Sequence, residues 1–137
     1  MIEFGTSYGI STIYLAAAVA NNGKGRVVSI ELSEAKMLAA RANLTEVGPA
    51  KLVRILLDDA RTTLNDIAGP IDFVLLDGWK ELCLPVLQWL EPRLAIGALI
   101  VADDINLPCL SAYLEYVRIR LGCVPCRRRH GNKLLDR

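Results

Sequence analysis

The feature that most constrains this chain is an alternation: five short apolar runs, each followed by a stretch of helical periodicity. Residues 2–4 run straight into Gly5-Thr6-Ser7-Tyr8-Gly9. Residues 10–20 then place Ile13, Ala17 and Ala20 on one helical face before Asn21-Asn22-Gly23 stops them. Residues 26–31 read as a second strand, and Ser33 is a good N-cap for a helix over 34–47 that Gly48 terminates. Residues 51–57 form a third strand, followed by a short helix near 60–67 that ends at Gly69-Pro70. Residues 71–76 are a continuous apolar run of the kind buried on both faces. A helix near 85–93 with Pro85 in its first turn, a fifth strand over 98–102 and a last helix over 110–121 complete the pattern. Such alternation predicts an α/β fold, an open, doubly wound, mainly parallel sheet with helices on both faces. A closed eight-stranded barrel needs nearly twice the 137 residues present. No edge hairpin is legible after Gly122.

The chain reads as one domain over 1–137. At 53% hydrophobic and 23% charged residues it is not a disordered chain. No apolar run reaches the roughly 18 residues of a spanning helix. The N-terminus has neither a basic start nor a signal-peptide core, so a cytoplasmic protein with no membrane partner is expected. The net charge of +1 hides an asymmetry. Residues 118–137 hold seven Lys/Arg against one acid, Asp136, which leaves the remainder at −5. The irregular basic tail over 122–137 contains Arg127-Arg128-Arg129, but no aromatic interleaves that run. A solvated tail is therefore preferred to a nucleic-acid contact. Cys123, Cys126 and His130 offer zinc-type ligands without a second CxxC pair, so no zinc site is expected. Cys83 and Cys109 read as plain thiols, and Tyr113 and Tyr116 as packing residues.

In an open α/β sheet, ligands bind beyond the carboxyl ends of the strands. Here those ends carry acids one after another: Glu3 ahead of the glycine loop, Glu31, Asp58-Asp59, Asp77 and Asp103-Asp104. Five in one rim point to a site. Gly5 and Gly9 permit a sharp turn and a close backbone approach, but Ser7 stands where a dinucleotide fingerprint would place its second glycine. An acid before the loop suits a ligand with a cationic amino-acid end; a purely structural turn is the alternative. Glu31, 22 residues after Gly9, is placed to accept both hydroxyls of a ribose, or is a surface acid. Asp59-Ala60 either receives an adenine amino group or caps a helix. Asp77, Asp103 and Asp104 offer three hard oxygen ligands suited to Mg²⁺ or Ca²⁺. Lys80 either supplies compensating charge and, with a lowered pKa, a base, or it merely pairs with Asp77 or solvent.

The loop Glu3-Phe4-Gly5-Thr6-Ser7-Tyr8-Gly9, with Glu31, Asp59-Ala60 and Asp77-Gly78-Trp79-Lys80, resembles the class I S-adenosylmethionine-dependent methyltransferases. The nearest group is the catechol and caffeoyl-CoA O-methyltransferase-like one, and the resemblance runs from residue 1 to about 120. It implies a Rossmann-like fold and O-methyl transfer from S-adenosylmethionine to a small hydroxylated acceptor, with Mg²⁺ assisting. By that resemblance Glu3, Gly5, Thr6, Ser7, Tyr8 and Gly9 hold the methionyl end of the cofactor. Glu31 holds its ribose, Asp59 and Ala60 flank its adenine, and Trp79 lines the pocket. Asp77, Asp103 and Asp104 match the metal ligands, and Lys80 matches the residue that takes the acceptor's proton, with Asp77 beside it. Three departures accompany the match. The catechol enzymes carry Asp-Asn at Asp103-Asp104, and a His at Gly78. Family members also have covering helices before the first strand, with which this chain begins. The last departure raises two further expectations: a non-catalytic cofactor-binding domain or partner subunit, and a homodimer in which a second copy serves as the cover. An oxidoreductase using NAD(P) is the remaining reading, and Ser7 argues against it.

Overall fold

The computed structural model describes residues 1–59, 64 and 67–120. Its elements are β1 (Ile2–Phe4), α1 (Ile10–Asn22), β2 (Val27–Glu31), α2 (Glu34–Val47), β3 (Val53–Leu57), β4 (Ile71–Leu76), α3 (Cys83–Leu90), β5 (Leu94–Ala102) and α4 (Ser111–Arg120). The strands form one parallel sheet in the order β3-β2-β1-β4-β5. This is the doubly wound, Rossmann-like α/β architecture. The chain starts at the centre, winds outward through β2 and β3, then crosses to the other side of β1 for β4 and β5. The switch point therefore lies between β1 and β4. Most of the short helix expected near 60–67 falls outside the described residues, as do Ala60, the tail over 122–137, Cys123, Cys126, His130 and Arg127–Arg129. Among the described residues no helix is long and apolar enough to cross a membrane.

Two element boundaries differ from the sequence expectation for identifiable reasons. The third strand starts at Val53 because Gly48, at φ 106, ends α2 and Pro49–Leu52 make a 3₁₀ turn first. The fifth strand is longer, beginning at Leu94. Ile71 pairs with Leu94 but Phe73 with Leu99, so β5 carries extra residues there, and Gly97, at φ 81, lies among them.

Helices pack on both faces of the sheet, while Leu99 and Val101 of β5 stay exposed. On one, Phe4, Ile30, Val74 and Leu76 pack with Val86, Leu87 and Leu90 from α3, Leu110 just before α4, and Tyr113 and Val117 from α4. On the other, Val27 meets Ala16 and Val19 of α1, and Ile55 meets Met37, Ala40 and Leu44 of α2. Tyr113 is thus a core residue, and the Tyr116 hydroxyl donates to Glu91. Cys83 is buried and Cys109 exposed, each unpaired.

Strand alternation sends Glu3 to the α1 face, opposite to Ile2 and Phe4, and register sets it beside Ser29. Thr12 Oγ1 and Ser29 Oγ each donate to Glu3 Oε2 at 2.5 Å. Ser29 has then used its one hydrogen, so Thr6 Oγ1 is the donor in its 2.5 Å contact with Ser29 Oγ. Four buried residues from β1, the glycine loop, α1 and β2 are joined in one relay, while Glu3 Oε1 finds no partner among the described residues. Burial pushes the Glu3 carboxyl above its ordinary value, against the pull of the Ser11, Ser29 and Thr12 hydroxyls.

At the switch point the backbones touch. A Cβ on Gly5, whose φ is 103, would lie 2.6 Å from Gly78 N and 2.7 Å from the Asp77 carbonyl. A Cβ on Gly78 would lie 2.6–2.8 Å from the Phe4 ring. Position 78 is therefore glycine because Phe4 fills the space a side chain would need.

Gly5→Ala is expected to cost about 1–2 kcal/mol for the left-handed backbone and about 1–3 kcal/mol more for the clash. Gly48→Ala meets nothing within 4 Å and should cost only the backbone part. Equal losses in urea denaturation would show that the Asp77–Gly78 contact is not the constraint. For Glu3 the raised pKa sets the sign of a pH effect. Below the unfolded value both states are protonated and no penalty exists. As pH rises through the higher folded value, the folded state loses about 1.4 kcal/mol for each tenfold by which folding tightens the carboxyl's hold on its proton. Thermal unfolding across the acid-to-neutral range should show the wild type losing stability relative to Glu3→Gln as pH rises. A difference that stays level with pH would mean that the Glu3 carboxyl is not raised.

Candidate functional site

A cavity of about 990 Å³ opens beyond the carboxyl ends of β1, β2 and β4, at the switch point. Its walls are the loop from Gly5 to Tyr8, the end of β2 with the first turn of α2, Asp58 and Asp59 after β3, and Asp77, Gly78 and Trp79 after β4. Gly5 N and Thr6 N both donate to Ile30 O, at 3.1 and 3.2 Å, which ties the loop to β2.

Glu31 fixes the rest of the loop. Its Oε2 accepts from Ser7 N at 2.7 Å, and its Oε1 accepts from Leu32 N at 3.1 Å and Ser33 N at 2.9 Å. Ser7 has a φ of 49, in the left-handed region where a dinucleotide loop uses glycine. The bond to Glu31 holds serine in that conformation. Three of the carboxylate's acceptor directions are spent on the backbone, and Oε2 retains one for a donor in the cavity.

Most of the residues singled out in the sequence meet here. Gly5, Thr6, Ser7, Tyr8, Glu31, Asp59, Asp77 and Trp79 line the cavity. Tyr8 and Trp79 are exposed at its mouth. Asp58 N donates to Glu31 O at 3.1 Å, and Asp59 N donates to Asp58 Oδ1 at 2.6 Å, so the third strand end is hung on the second. Two residues expected at the cofactor lie off the wall. Glu3 is turned into the relay beneath the loop. Gly9, at φ 82, precedes α1, and a Cβ there would come within 3.1 Å of Ala40 Cβ; its smallness serves the packing of α1 on α2. Ala60 is outside the described residues. The sequence reading missed Leu32 and Lys36. Leu32 follows Glu31 directly and the strand-end rule could have found it; Lys36 comes from inside α2, where no such signal exists.

Beside the cavity, Lys80 Nζ donates to Asp77 Oδ1 at 3.0 Å and lies 3.4 Å from Asp104 Oδ2. The lysine side chain is only 16% exposed, against 40% for Asp77 and 59% for Asp104. Burial draws the ammonium's pKa down, but the hydrogen bonds and charges of Asp77 and Asp104 together outweigh it and hold Lys80 above its ordinary value. Lys80 is a paired cation here, the alternative the sequence left beside a base. Among the described residues no group of three or more metal-capable side chains is found, so Asp77, Asp103 and Asp104 do not converge as expected. Asp103 instead follows β5 with its N–H donated to Leu76 O at 3.0 Å.

The comparisons with known proteins agree with this architecture. Residues 2–105 match Methyltransf_24, a methyltransferase domain. The catechol O-methyltransferase of Mycobacterium tuberculosis is 37% identical over 106 residues, which cover 77% of this chain and 47% of that protein. The crystal structure of cofactor-bound Rv0187 from MTB superposes with a TM-score of 0.79 at 31% identity, over 88% of this chain and 61% of that one. The O-methyltransferase TomG from Streptomyces achromogenes, solved in complex with SAM, gives a TM-score of 0.75 at 27% identity, over 90% and 61% of the two chains. The chain spans about half the length of the curated relatives it matches. None of these relatives supports the NAD(P) oxidoreductase reading. With a family match over most of its length and the sheet order, loop and acid-lined cavity described above, the chain belongs to the methyltransferase domain family.

Proposed function

We propose that this domain transfers a methyl group from S-adenosylmethionine to an oxygen of a small hydroxylated acceptor. The observation that carries the reading is the cavity itself, with Glu31 on one side and the Asp77–Lys80 pair on the other. The relatives reported above, one a catechol O-methyltransferase and one an O-methyltransferase solved with SAM, support it. Glu31 Oε2 accepts from a ribose hydroxyl, and Asp59 lies where the adenine end would rest. The backbone of Gly5, Thr6 and Ser7 faces the methionyl end. Transfer makes an oxygen–carbon bond and breaks the sulfonium carbon–sulfur bond, so positioning supplies most of the acceleration. Asp77 and Asp104 offer hard oxygen donors and already hold a positive charge between them, which fits Mg²⁺ in donor type and charge. When bound there, such a cation lowers the pKa of the acceptor hydroxyl. Lys80, paired as it is, orients the acceptor oxygen; to take the acceptor's proton it would first have to give up its own, which the pairing with Asp77 and Asp104 opposes.

The exposed Tyr8, Leu32 and Trp79 at the cavity mouth favour one second reading, cofactor binding without turnover until another surface covers the mouth.

Calorimetric titration of S-adenosylmethionine and S-adenosylhomocysteine tests the first step. Dissociation constants on the order of micromolar are expected, about −8 kcal/mol. Glu31→Ala should abolish that binding, with circular dichroism to show that the sheet persists. Lys80→Ala should bind cofactor as the wild type does and lose about 100-fold or more in methyl transfer to vicinal diols. Turnover undiminished by Lys80→Ala would remove Lys80 from the chemistry. Cofactor binding with no transfer to any hydroxylated acceptor would favour the second reading.

A further inference from the structure

Three consecutive residues of β2 each hold part of the glycine loop. Ile30 O accepts from Gly5 N and Thr6 N, and Glu31 Oε2 accepts from Ser7 N. Ser29 takes the third share through its side chain: its Oγ accepts from Thr6 Oγ1 and donates to Glu3 Oε2. Ser29, Thr6 and Glu3 are all buried, which shields these bonds from bulk water. Thr12 Oγ1 of α1 donates to the same Glu3 oxygen, but its bond ends at the carboxyl, whereas that of Ser29 continues to the loop. Thr6 also belongs to the wall of the cavity. A threonine hydroxyl and methyl exchange places by one rotation about χ1. The bond to Ser29 selects one of those settings in the wall. Without the Ser29 hydroxyl, Thr6 Oγ1 would be a buried donor deprived of its acceptor, and the loop would lose its tie to the Glu3 carboxyl.

We infer that Ser29 is a positioning residue for the cofactor: its hydroxyl is the link through which the buried Glu3 carboxyl fixes Thr6, and with it the loop that receives the methionyl end. The link stands on the hydrogen bonds from Thr6 to Ser29 and from Ser29 to Glu3. Its consequence for the cofactor rests on the methyltransferase reading. On this inference Glu3 matters to the ligand without touching it. A carboxylate acceptor makes the Ser29 bond one of the stronger, charge-assisted kind. It thereby fixes the direction of the Ser29 hydrogen and leaves the oxygen of that hydroxyl to receive Thr6.

The test is calorimetric titration of S-adenosylhomocysteine into Ser29→Ala, Thr6→Val, the double variant and Thr12→Val, with urea denaturation of each. Ser29→Ala should bind about tenfold more weakly than the wild type, the effect of one hydrogen bond. Thr6→Val should lose about as much, and the double variant no more than either single one, because both act through one bond. Thr12→Val removes a buried donor to the same carboxyl oxygen. It should lose comparable stability yet bind within about twofold of the wild type. Unweakened binding in Ser29→Ala overturns the inference, as do additive losses in the double variant or a loss in Thr12→Val equal to that in Ser29→Ala. Should Ser29→Ala not fold, Ser29→Cys replaces it, with a weaker donor and acceptor in the same place, and should also bind more weakly than the wild type. Amide hydrogen exchange in the free proteins, followed by nuclear magnetic resonance, keeps the two readings apart. The Thr6 and Ser7 amides should exchange faster in Ser29→Ala than in the wild type or Thr12→Val. That result in a protein whose wild type binds no cofactor defeats the methyltransferase reading alone. Unchanged exchange overturns the link whether or not the cofactor binds.

Discussion

Three backbone N–H groups converge on the Glu31 carboxylate, and the shape of the cavity depends on that convergence. One belongs to Ser7 in the glycine loop and two to the residues that lead into α2. Without an anion at this point the loop has no reason to hold Ser7 at positive φ, and the N–H groups of Leu32 and Ser33, just ahead of α2, lose their acceptor. Hydrogen bonds to a charged acceptor are the stronger kind. Glu31 is nearly buried, which shields them from water. A residue that would be read as a ligand contact is first a fastener of backbone, and what it offers a ligand is the acceptor direction left over.

The acids of this sheet divide by their distance from the strand ends. Glu3 precedes the last residue of β1 and is drawn inward by strand alternation, where hydroxyls from β2 and α1 hold it. Glu31 is the last residue of β2, and Asp77 follows β4 directly; both reach the rim. A step of one residue, roughly 3.3 Å along a strand, separates a buried carboxyl whose pKa is raised from a carboxylate that faces a cavity. Gly5 and Gly78 make the arrangement close by letting the ends of β1 and β4 touch, so the cavity forms over that seam.

Much of the architecture was legible in the sequence because apolar period reports burial directly. The run over 71–76, the Ser33 cap and the Gly48 stop each named an element that the structure contains at the same residues. The strand-end rule found most of the cavity wall for the same reason, since it depends only on where strands stop. What was not legible is direction. Nothing in the order of residues tells that Gly9 serves Ala40 or that Phe4 is the reason for Gly78. Those facts depend on backbone angles and on side chains contributed by distant segments. The extra length of β5 was hidden likewise, because Gly97 looks like a breaker until the change of register gives it a place.

Lys80 shows why residue type and spacing do not settle a role. A lysine three positions after an aspartate suits a base, a counter-ion or a surface pair equally well in one dimension. In three dimensions the balance is decided by how many carboxylates reach the ammonium. Desolvation of the packed stem works against the charge, and Asp77 works for it. Asp104, brought from the neighbouring strand, adds to Asp77, and together they hold the charged form. Any base chemistry at Lys80 therefore requires a change at Asp77 and Asp104 before it requires one at the lysine.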